Sequence, residues 1–228
     1  MAGPVVWVEG LIGSGKTTLA RVLAEQLRLR LFLEPVQSNP YLDIFYKEPA
    51  RWAFPMQLHL MGVRFKMQQQ AMWEAEGGGE FRGSVLDRGL PGDRVFAWLH
   101  RVYGNISELE WATYEEWYST MTCMLRVPSL LLFLDTEPET AMRRVQRRAR
   151  GAESTLTLQY LIDLRGGYLD LLAQIDSGAH SWAQGLTVMR VPWNMDAQPV
   201  QPLIAELAAR LRLEVEHEGS TGSAPSLR

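Results

Sequence analysis

The sequence predicts an α/β protein in which a five-stranded parallel sheet is covered by helices on both faces. Short apolar runs bounded by turn residues are typical of buried strands, and they occur at 4–9, 31–33, 84–86, 129–134 and 186–191. Longer segments with helical spacing of apolar residues separate or follow them, at 17–29, 39–47, 51–73, 109–124, 140–150, 156–175 and 202–213. Buried strands that alternate with helices indicate a parallel sheet covered on both sides.

The composition of the 228-residue chain, with 46% hydrophobic and 21% charged residues, is that of an ordinary soluble domain. It excludes a disordered, collagen-like or coiled-coil protein. The net charge of −3 disfavours a protein that binds nucleic acid by general charge, so we expect no nucleic-acid partner. The longest apolar run, residues 130–134, is far shorter than the ~20 residues that span a bilayer, so we expect no membrane segment.

The sequence also predicts the organisation of the chain and its compartment. Residues 1–215 are predicted to form a single domain, and residues 216–228, which end in small and polar side chains, a disordered C-terminal tail. The N-terminus lacks the basic segment of a signal peptide. The one cysteine, Cys123, cannot form an internal disulfide, which favours a reducing compartment. We therefore expect a cytoplasmic protein.

A phosphate-binding loop is predicted at residues 10–17, whose sequence GLIGSGKT matches the pattern GxxxxGK[ST]. Glycines let backbone N–H groups surround phosphate oxygens, and the following helix contributes its positive end. Lys16 would reach the β- and γ-phosphates, and Thr17 would offer its hydroxyl to Mg²⁺. The match follows a predicted strand and opens a predicted helix, which favours a nucleoside triphosphate site over chance. The predicted ATP-binding residues here are Gly10, Gly13, Ser14, Gly15, Lys16, Thr17 and Thr18.

Charged side chains follow two other predicted strands and are candidates for the acceptor side of the reaction. Glu34 follows the second strand and could take a proton from an attacking hydroxyl, although a solvated glutamate is the alternative. Asp87 and Arg88 follow the third strand. Asp87 could hold Mg²⁺ and Arg88 could steady the attacking oxygen, the alternative being a surface ion pair. Ligands of parallel sheets bind at the carboxyl ends of the strands, where all three residues fall.

Five arginines crowd the predicted helix at 140–150, namely Arg143, Arg144, Arg147, Arg148 and Arg150. Like charges four residues apart on a helix repel each other, so the cluster costs stability unless it binds an anion. Arginine stabilises the charge that develops in phosphoryl transfer, and the cluster therefore predicts a phosphate-binding lid at about residues 143–155. A basic, solvated helix face is the alternative.

Several ordered segments together resemble the deoxyribonucleoside kinase family, which includes deoxycytidine, deoxyguanosine and bacterial deoxyadenosine kinases. The resemblance covers residues 4–215. Its carriers are GLIGSGKTT (10–18), LEPV (33–36), FYKEP (45–49), WAFPMQ (52–57), LDRG (86–89), YEEWY (114–118) and RRVQRRARGAE (143–153). The resemblance implies a P-loop kinase fold, ATP as phosphoryl donor with Mg²⁺, a deoxynucleoside as acceptor, and a homodimer.

The resemblance also implies roles for single residues. Glu34 matches the base that takes the proton of the nucleoside 5′-hydroxyl, Arg88 lies near that hydroxyl, and Asp87 helps to place Mg²⁺. Gln57 pairs with the base. The remaining matches are the base-facing pair Arg64 and Asp93, the 3′-hydroxyl pair Tyr46 and Glu153, and the lid arginines Arg144, Arg148 and Arg150.

The chain departs from the family pattern at three places. One is the position shortly after the EPV motif where some relatives carry a tryptophan and this chain has Ser38, Asn39 and Pro40. Gly89 stands where the family has a serine and is followed by Pro91 and Gly92, so the shape of this loop is left open. Ala152 replaces an acidic residue that some relatives carry before the position of Glu153.

Three functions remain for comparison. The first is transfer of the γ-phosphate of ATP to the 5′-hydroxyl of a deoxynucleoside. The second is a thymidylate-type nucleoside monophosphate kinase, but that relative has an arginine where this chain has the apolar Leu33. The third, a regulatory subunit without catalysis, need not retain Lys16, Glu34 and Arg88 together. Thymidine-specific relatives lack a pair like Arg64 and Asp93, so we expect a purine deoxynucleoside, with deoxycytidine as the alternative.

Overall fold

Five parallel strands form one sheet in the computed structural model of the protein, which describes residues 2–33, 39–77, 79–148, 156–195 and 199–215. The strands are β1 (Val5–Gly10), β2 (Leu29–Phe32), β3 (Gly83–Asp87), β4 (Leu130–Asp135) and β5 (Thr187–Pro192). Their order across the sheet is β2-β3-β1-β4-β5, and every pairing is parallel. The predicted fold class is therefore confirmed.

The central strand β1 sets the position of the loops that follow the sheet. Val6 of β1 pairs with Val85 of β3 on one side and with Leu130 of β4 on the other. Because the three strands run in the same direction, their carboxyl ends meet at one edge of the sheet. Gly10, Asp87 and the end of β4 consequently lie side by side.

Eight helices cover the sheet within the described residues. They are α1 (Lys16–Gln26), α2 (Leu42–Lys47), α3 (Pro49–Glu76), α4 (Leu90–Val102), α5 (Glu108–Cys123), α6 (Pro138–Arg148), α7 (Leu158–Asp176) and α8 (Gln201–Leu211), with a 3₁₀ turn at Ser181–Ala183. None of them is long and apolar enough to cross a membrane. The segments predicted as a tail and as the second half of the lid, 216–228 and 149–155, lie outside the described residues, and the single-domain prediction for 1–215 stays a prediction.

The clearest differences from the sequence patterns concern α1 and α4, while other elements shift by a few residues at their ends. The predicted helix at 17–29 ends at Gln26, because Arg28 adopts a left-handed backbone with φ of +54° and Leu29 begins β2. The helix α4 was not predicted, since glycines and a proline mark its start. Pro91 lies in the first turn, where the missing N–H costs no helical hydrogen bond.

The two faces of the sheet differ in what covers them. Val6 and Val8 of β1 face a wholly apolar cluster built with α1 and α8. Val5 and Trp7 point to the opposite face, toward α3, α4 and α7. Side chains alternate along a strand, so the next residue on this second face is Glu9. A carboxylate is thereby carried into the interior between the sheet and two helices, where it is fully buried.

Candidate active site

The turn between β1 and α1 has the backbone shape that a phosphate-binding loop requires. Gly13 and Gly15 adopt φ of +81° and +94°, a left-handed region that favours glycine. A Cβ atom on Gly13 would also lie 2.5 Å from the carbonyl oxygen of Ala141. The loop leads directly into α1, whose first residue is Lys16, so the positive end of this helix faces the turn.

The side chains of this loop are held close to the place of the expected phosphates. Lys16 is 7% exposed, and its Nζ donates to the carbonyl oxygens of Gly10 at 3.1 Å and Leu11 at 2.6 Å. The Ser14 hydroxyl is buried and has no hydrogen-bond partner among the described residues. Thr18 lies exposed in the first turn of α1. A bound triphosphate would give both Lys16 and Ser14 a charged partner.

A hydroxyl and a carboxylate meet where β1 and β3 end. The Thr17 hydroxyl donates to one oxygen of Asp87, whose other oxygen is buried and has no hydrogen-bond partner among the described residues. Hard oxygen atoms of this kind suit Mg²⁺, which usually takes one or two protein ligands and completes its shell with phosphate and water. Within the described ranges no cluster of three acidic, histidine or cysteine side chains could hold a metal ion alone. The pair therefore fits a magnesium ion that is shared with a nucleotide.

Arg88, directly after β3, has its side chain buried and held on several sides. Its Nη1 donates to the Tyr168 hydroxyl of α7 at 2.5 Å, and its guanidinium lies 4.6 Å from the centre of the Phe96 ring. Nη1 is 4.0 Å from the nearer oxygen of Glu9. The guanidinium is 5% exposed, so these neighbours fix where its charge is presented.

Glu9 is a site residue that sequence reasoning missed. Its Oε1 accepts from the backbone N–H of Gly89 at 2.7 Å, and its Oε2 accepts from the Tyr168 hydroxyl at 2.9 Å. Burial raises the pKa of Glu9, while Arg88 and the Gly89 N–H act in the opposite direction. The signal in the sequence was an acidic residue near the end of an otherwise apolar strand. In the sequence alone, this residue indicated only where the apolar run ends.

The loop after β3 explains the glycines that depart from the family pattern. A Cβ atom on Gly89 would lie 2.7 Å from the Trp7 ring, and one on Gly92 would lie 2.6 Å from a Glu9 oxygen. The N–H of Leu90, at the start of α4, donates to the buried Gln68 amide at 3.3 Å. Two buried side chains from other elements thus replace the usual cap at the start of α4.

A second buried polar group lies between α3 and α4. Arg64 donates to Asp93, and these side chains are 4% and 2% exposed. Gln57 is seven residues before Arg64 on α3 and is 1% exposed. Its Oε1 has no hydrogen-bond partner among the described residues. Burying an unpaired amide oxygen is costly, so this atom is poised for a ligand that donates a hydrogen bond.

The lid arginines are only partly described. Arg144 donates to the carbonyl oxygens of Ser14 at 3.3 Å, Trp193 at 3.1 Å and Met195 at 2.8 Å, so it joins the phosphate loop to the segment after β5. Arg148 ends α6 and is exposed.

Glu34, Arg150 and Glu153 lie outside the described residues. Tyr46, near the end of α2, is half-buried, with its ring edge against Phe45 at 5.2 Å.

The sequence of the chain is similar to those of known deoxynucleoside kinases. The sequence model of the family described as deoxynucleoside kinase matches residues 6–201. The deoxyadenosine kinase of Dictyostelium discoideum is 33% identical over 216 residues, which are 95% of this chain and 81% of that protein. The deoxyguanosine kinase of the same organism is 34% identical over 191 residues, 83% of this chain and 64% of that protein.

Among solved structures, the deoxyadenosine kinase of M. mycoides with the products dCMP and a flexible dCDP bound has the same fold. Its TM-score is 0.75 at 23% sequence identity, and the match covers 91% of this chain and 98% of that chain. The family match extends from β1 to the first residue of α8, and a relative over nearly the whole length is one-third identical. The chain therefore belongs to the deoxynucleoside kinase family.

Proposed function

We propose that the protein transfers the γ-phosphate of ATP to the 5′-hydroxyl of a purine deoxynucleoside, deoxyadenosine or deoxyguanosine, in nucleotide salvage. ATP-dependent phosphoryl transfer to a deoxynucleoside is the activity that family membership supplies. The choice of base and the roles of single residues are the parts that we propose here.

The observation that carries the proposal is the buried polar group between α3 and α4. Arg64 and Asp93 neutralise each other, so we infer that this buried group faces an uncharged base. Arginine donors can bind purine N7 or guanine O6, and the Gln57 amide adds an acceptor whose oxygen is unsatisfied. The similarity to a deoxyadenosine and a deoxyguanosine kinase supports a purine. The same donors suit cytosine, which makes deoxycytidine the second candidate.

An uncharged acceptor is also supported by the end of β2. Leu33 follows this strand directly, where a thymidylate-type kinase has an arginine for the phosphate of its acceptor. The next residue, Glu34, would take the proton of the 5′-hydroxyl. Because β2 pairs with β3, Glu34 follows the strand next to the one that ends at Asp87.

Catalysis in this proposal consists of positioning and charge stabilisation. Bound Mg²⁺, held by Thr17 and Asp87, would neutralise charge on the phosphates. Arg88 would steady the attacking oxygen, and Lys16 the transferring phosphoryl group. The other proposed contacts are those of Tyr46 and Glu153 with the 3′-hydroxyl, of Arg144, Arg148 and Arg150 with the donor phosphates, and of the loop glycines and Thr18 with ATP. A cytoplasmic homodimer completes the proposal, in keeping with the family resemblance.

A phosphorylation panel tests the acceptor. The purified protein receives ATP, Mg²⁺ and each of deoxyadenosine, deoxyguanosine, deoxycytidine and thymidine, with dTMP and the ribonucleosides as controls. We expect a purine deoxynucleoside to have the largest kcat/KM. Faster turnover of deoxycytidine would replace the purine assignment, and turnover of dTMP alone would contradict the acceptor site.

Glu34→Gln tests the proposed base, since it removes the basic oxygen and keeps the size of the side chain. We expect most turnover to be lost, on the order of a hundredfold, with little change in melting temperature. Glu25→Gln, at an exposed position of α1, is the matched control. A wild-type rate in Glu34→Gln would remove Glu34 from the role of base.

A further inference from the structure

Glu9 and Tyr168 form a buried polar chain to which the proposed mechanism gives no role. The Tyr168 hydroxyl accepts from Arg88 Nη1 at 2.5 Å and donates to Glu9 Oε2 at 2.9 Å. The other oxygen of Glu9 accepts from the Gly89 N–H at 2.7 Å. Both Glu9 and Tyr168 are fully buried. These hydrogen bonds thus connect the buried Glu9 in β1 with the Arg88 guanidinium directly after β3.

Such a group is a poor way to stabilise a core. A buried carboxylate loses its hydration, and well-packed apolar side chains of similar volume usually give equal or greater stability. The opposite face of the same sheet contains an apolar cluster around Val6 and Val8. These buried polar groups therefore need an explanation other than stability, and the guanidinium to which they are hydrogen-bonded is that of Arg88.

The same carboxylate also fixes the backbone of Arg88. Arg88 has φ of +76°, a left-handed conformation that is unfavourable for a residue with a Cβ atom. It is held between two hydrogen bonds, one from Arg88 N to the backbone carbonyl oxygen of Val8 at 3.1 Å and one from Gly89 N to the carboxylate oxygen Oε1 of Glu9 at 2.7 Å. Strained conformations of this kind persist where the surrounding structure over-determines them, and they are concentrated at functional sites.

Aromatic rings hold the same guanidinium from the side. Phe96 of α4 lies 4.6 Å from it, and the Phe96 ring meets the Tyr168 ring edge-on at 6.5 Å. Phe133 of β4 packs on Tyr168 with ring centres 5.5 Å apart. These contacts keep the Tyr168 ring in place when its hydroxyl is removed, so the hydroxyl can be tested separately from the packing.

We propose that Glu9, acting through the Tyr168 hydroxyl and the Gly89 N–H, positions the Arg88 guanidinium for phosphoryl transfer. Glu9 and Tyr168 are positioning residues, because the contact with the reacting oxygen belongs to Arg88. The inference rests on the role of Arg88 in the proposed function. In this proposal, Glu9 in β1 and Tyr168 in α7 orient the charged side chain of Arg88, which directly follows β3.

Tyr168→Phe tests the proposal because it removes one oxygen atom and retains the ring. We expect kcat to fall about tenfold while the KM of ATP and of the deoxynucleoside each change by less than about twofold. Glu9→Gln keeps an acceptor for Gly89 but removes the charge, and we expect a similar fall in kcat. Tyr118→Phe is the matched control, since its hydroxyl is buried without a partner among the described residues. Its kcat should remain that of the wild type.

A double-mutant cycle distinguishes positioning from a general structural effect. In an Arg88→Lys background, which loses the planar fork of the guanidinium, Tyr168→Phe should lower kcat by less than about twofold more. An undiminished tenfold fall in that background, or wild-type kcat in both Tyr168→Phe and Glu9→Gln, would overturn the inference alone. A wild-type enzyme that phosphorylates none of the deoxynucleosides would instead overturn the proposed function, and this inference with it.

Discussion

The donor and acceptor sides of the proposed site are built in different ways. The donor side is one continuous turn, residues 10–17, whose backbone shape comes from glycines with positive φ. The acceptor side is assembled from buried side chains in or directly after β1, β3, α3, α4 and α7. These elements are spread over most of the sequence. The first presents N–H groups to phosphate, and the second presents charged and amide groups to a nucleoside.

This difference determines what each side needs for its stability. The donor turn needs a backbone conformation, which glycine supplies locally. The acceptor side needs compensation of charge, because buried ions are costly unless they are paired. It contains two acids, Glu9 and Asp93, and two arginines, Arg64 and Arg88, all at most 5% exposed. We therefore expect single changes on the donor side to impair chemistry, and single changes among the four buried charged residues of the acceptor side to impair stability as well.

The largest effect is expected on the donor side. Lys16→Met should lower kcat roughly 10³-fold, because the variant removes the charge that would neutralise the transferring phosphoryl group. The melting temperature should fall by only a few degrees, since the variant loses the two hydrogen bonds from Lys16 to backbone carbonyl oxygens but keeps the glycines on which the shape of the turn mainly depends. Steady-state kinetics and a thermal melt check both parts, with Lys66→Met at an exposed position of α3 as control. A large loss of stability with normal kcat would contradict the distinction between the two sides.

The next effect is expected in the ion pair of the acceptor side. Asp93→Asn keeps the shape of the side chain but removes the charge that compensates Arg64, and we expect a loss of about 3 kcal/mol in the free energy of unfolding. Asp170→Asn, at an exposed position of α7, should lose less than about 0.5 kcal/mol. Urea titrations of the two variants and the wild type measure the difference. An equal and small loss in both would show that the pair contributes no compensation.

The contrast also accounts for what the sequence could predict. The phosphate loop is a local pattern, so its residues, the strand before it and the helix after it follow from reading along the chain. The parallel sheet follows in the same way from short apolar runs between helices. The one long helix that was missed, α4, begins at Leu90, between Gly89 and Pro91, and Gly89 is required by its close approach to the distant Trp7 ring rather than by a turn.

Glu9 and Tyr168 could not be found by the same means. Glu9 lies in a strand that is otherwise apolar, Tyr168 lies on the buried face of an amphipathic helix, and neither was part of a recognised motif. Their importance depends on the hydrogen bond between them, which joins β1 to α7 and spans 159 positions of the sequence. Only the pairing of buried donors with acceptors in three dimensions identifies such residues, because the cost of leaving them unpaired has no counterpart in local sequence.

A smaller effect is expected where α4 packs against Glu9. Gly92→Ala places a Cβ atom 2.6 and 2.7 Å from the two carboxylate oxygens. Glu9 is buried and hydrogen-bonded, so it cannot move into solvent, and we expect a loss of about 2 kcal/mol in unfolding free energy. Gly166→Ala on α7, where nothing lies within 4 Å of the new atom, should be neutral or stabilising by up to about 1 kcal/mol. A neutral Gly92→Ala would mean that Glu9 is not held as firmly as its hydrogen bonds indicate.

The smallest effect concerns a buried histidine of α4, the helix that also carries Asp93. His100 of α4 is 4% exposed, with Phe45 edge-on at 5.0 Å and Tyr160 at 6.4 Å, and burial lowers its pKa to about 4. The folded protein therefore keeps His100 neutral, while the unfolded chain takes up a proton as the pH falls below its ordinary pKa of about 6.5. The stability that His100 contributes is complete above pH 6.5 and is lost progressively toward pH 4.

The size of that loss follows from the shift, since each pH unit between the two pKa values costs about 1.4 kcal/mol. Lowering the pH from 6.5 to 5.5 should therefore reduce the unfolding free energy of the wild type by about 1 kcal/mol more than that of His100→Gln. Urea titrations at the two pH values measure this difference, and subtraction cancels the titration of Glu9 and the other acids. Parallel pH dependences would show that His100 is protonated as readily inside the fold as outside it. A steeper dependence in the wild type would instead mean that the fold keeps His100 neutral, so that mild acid favours the unfolded chain, which can bind the proton.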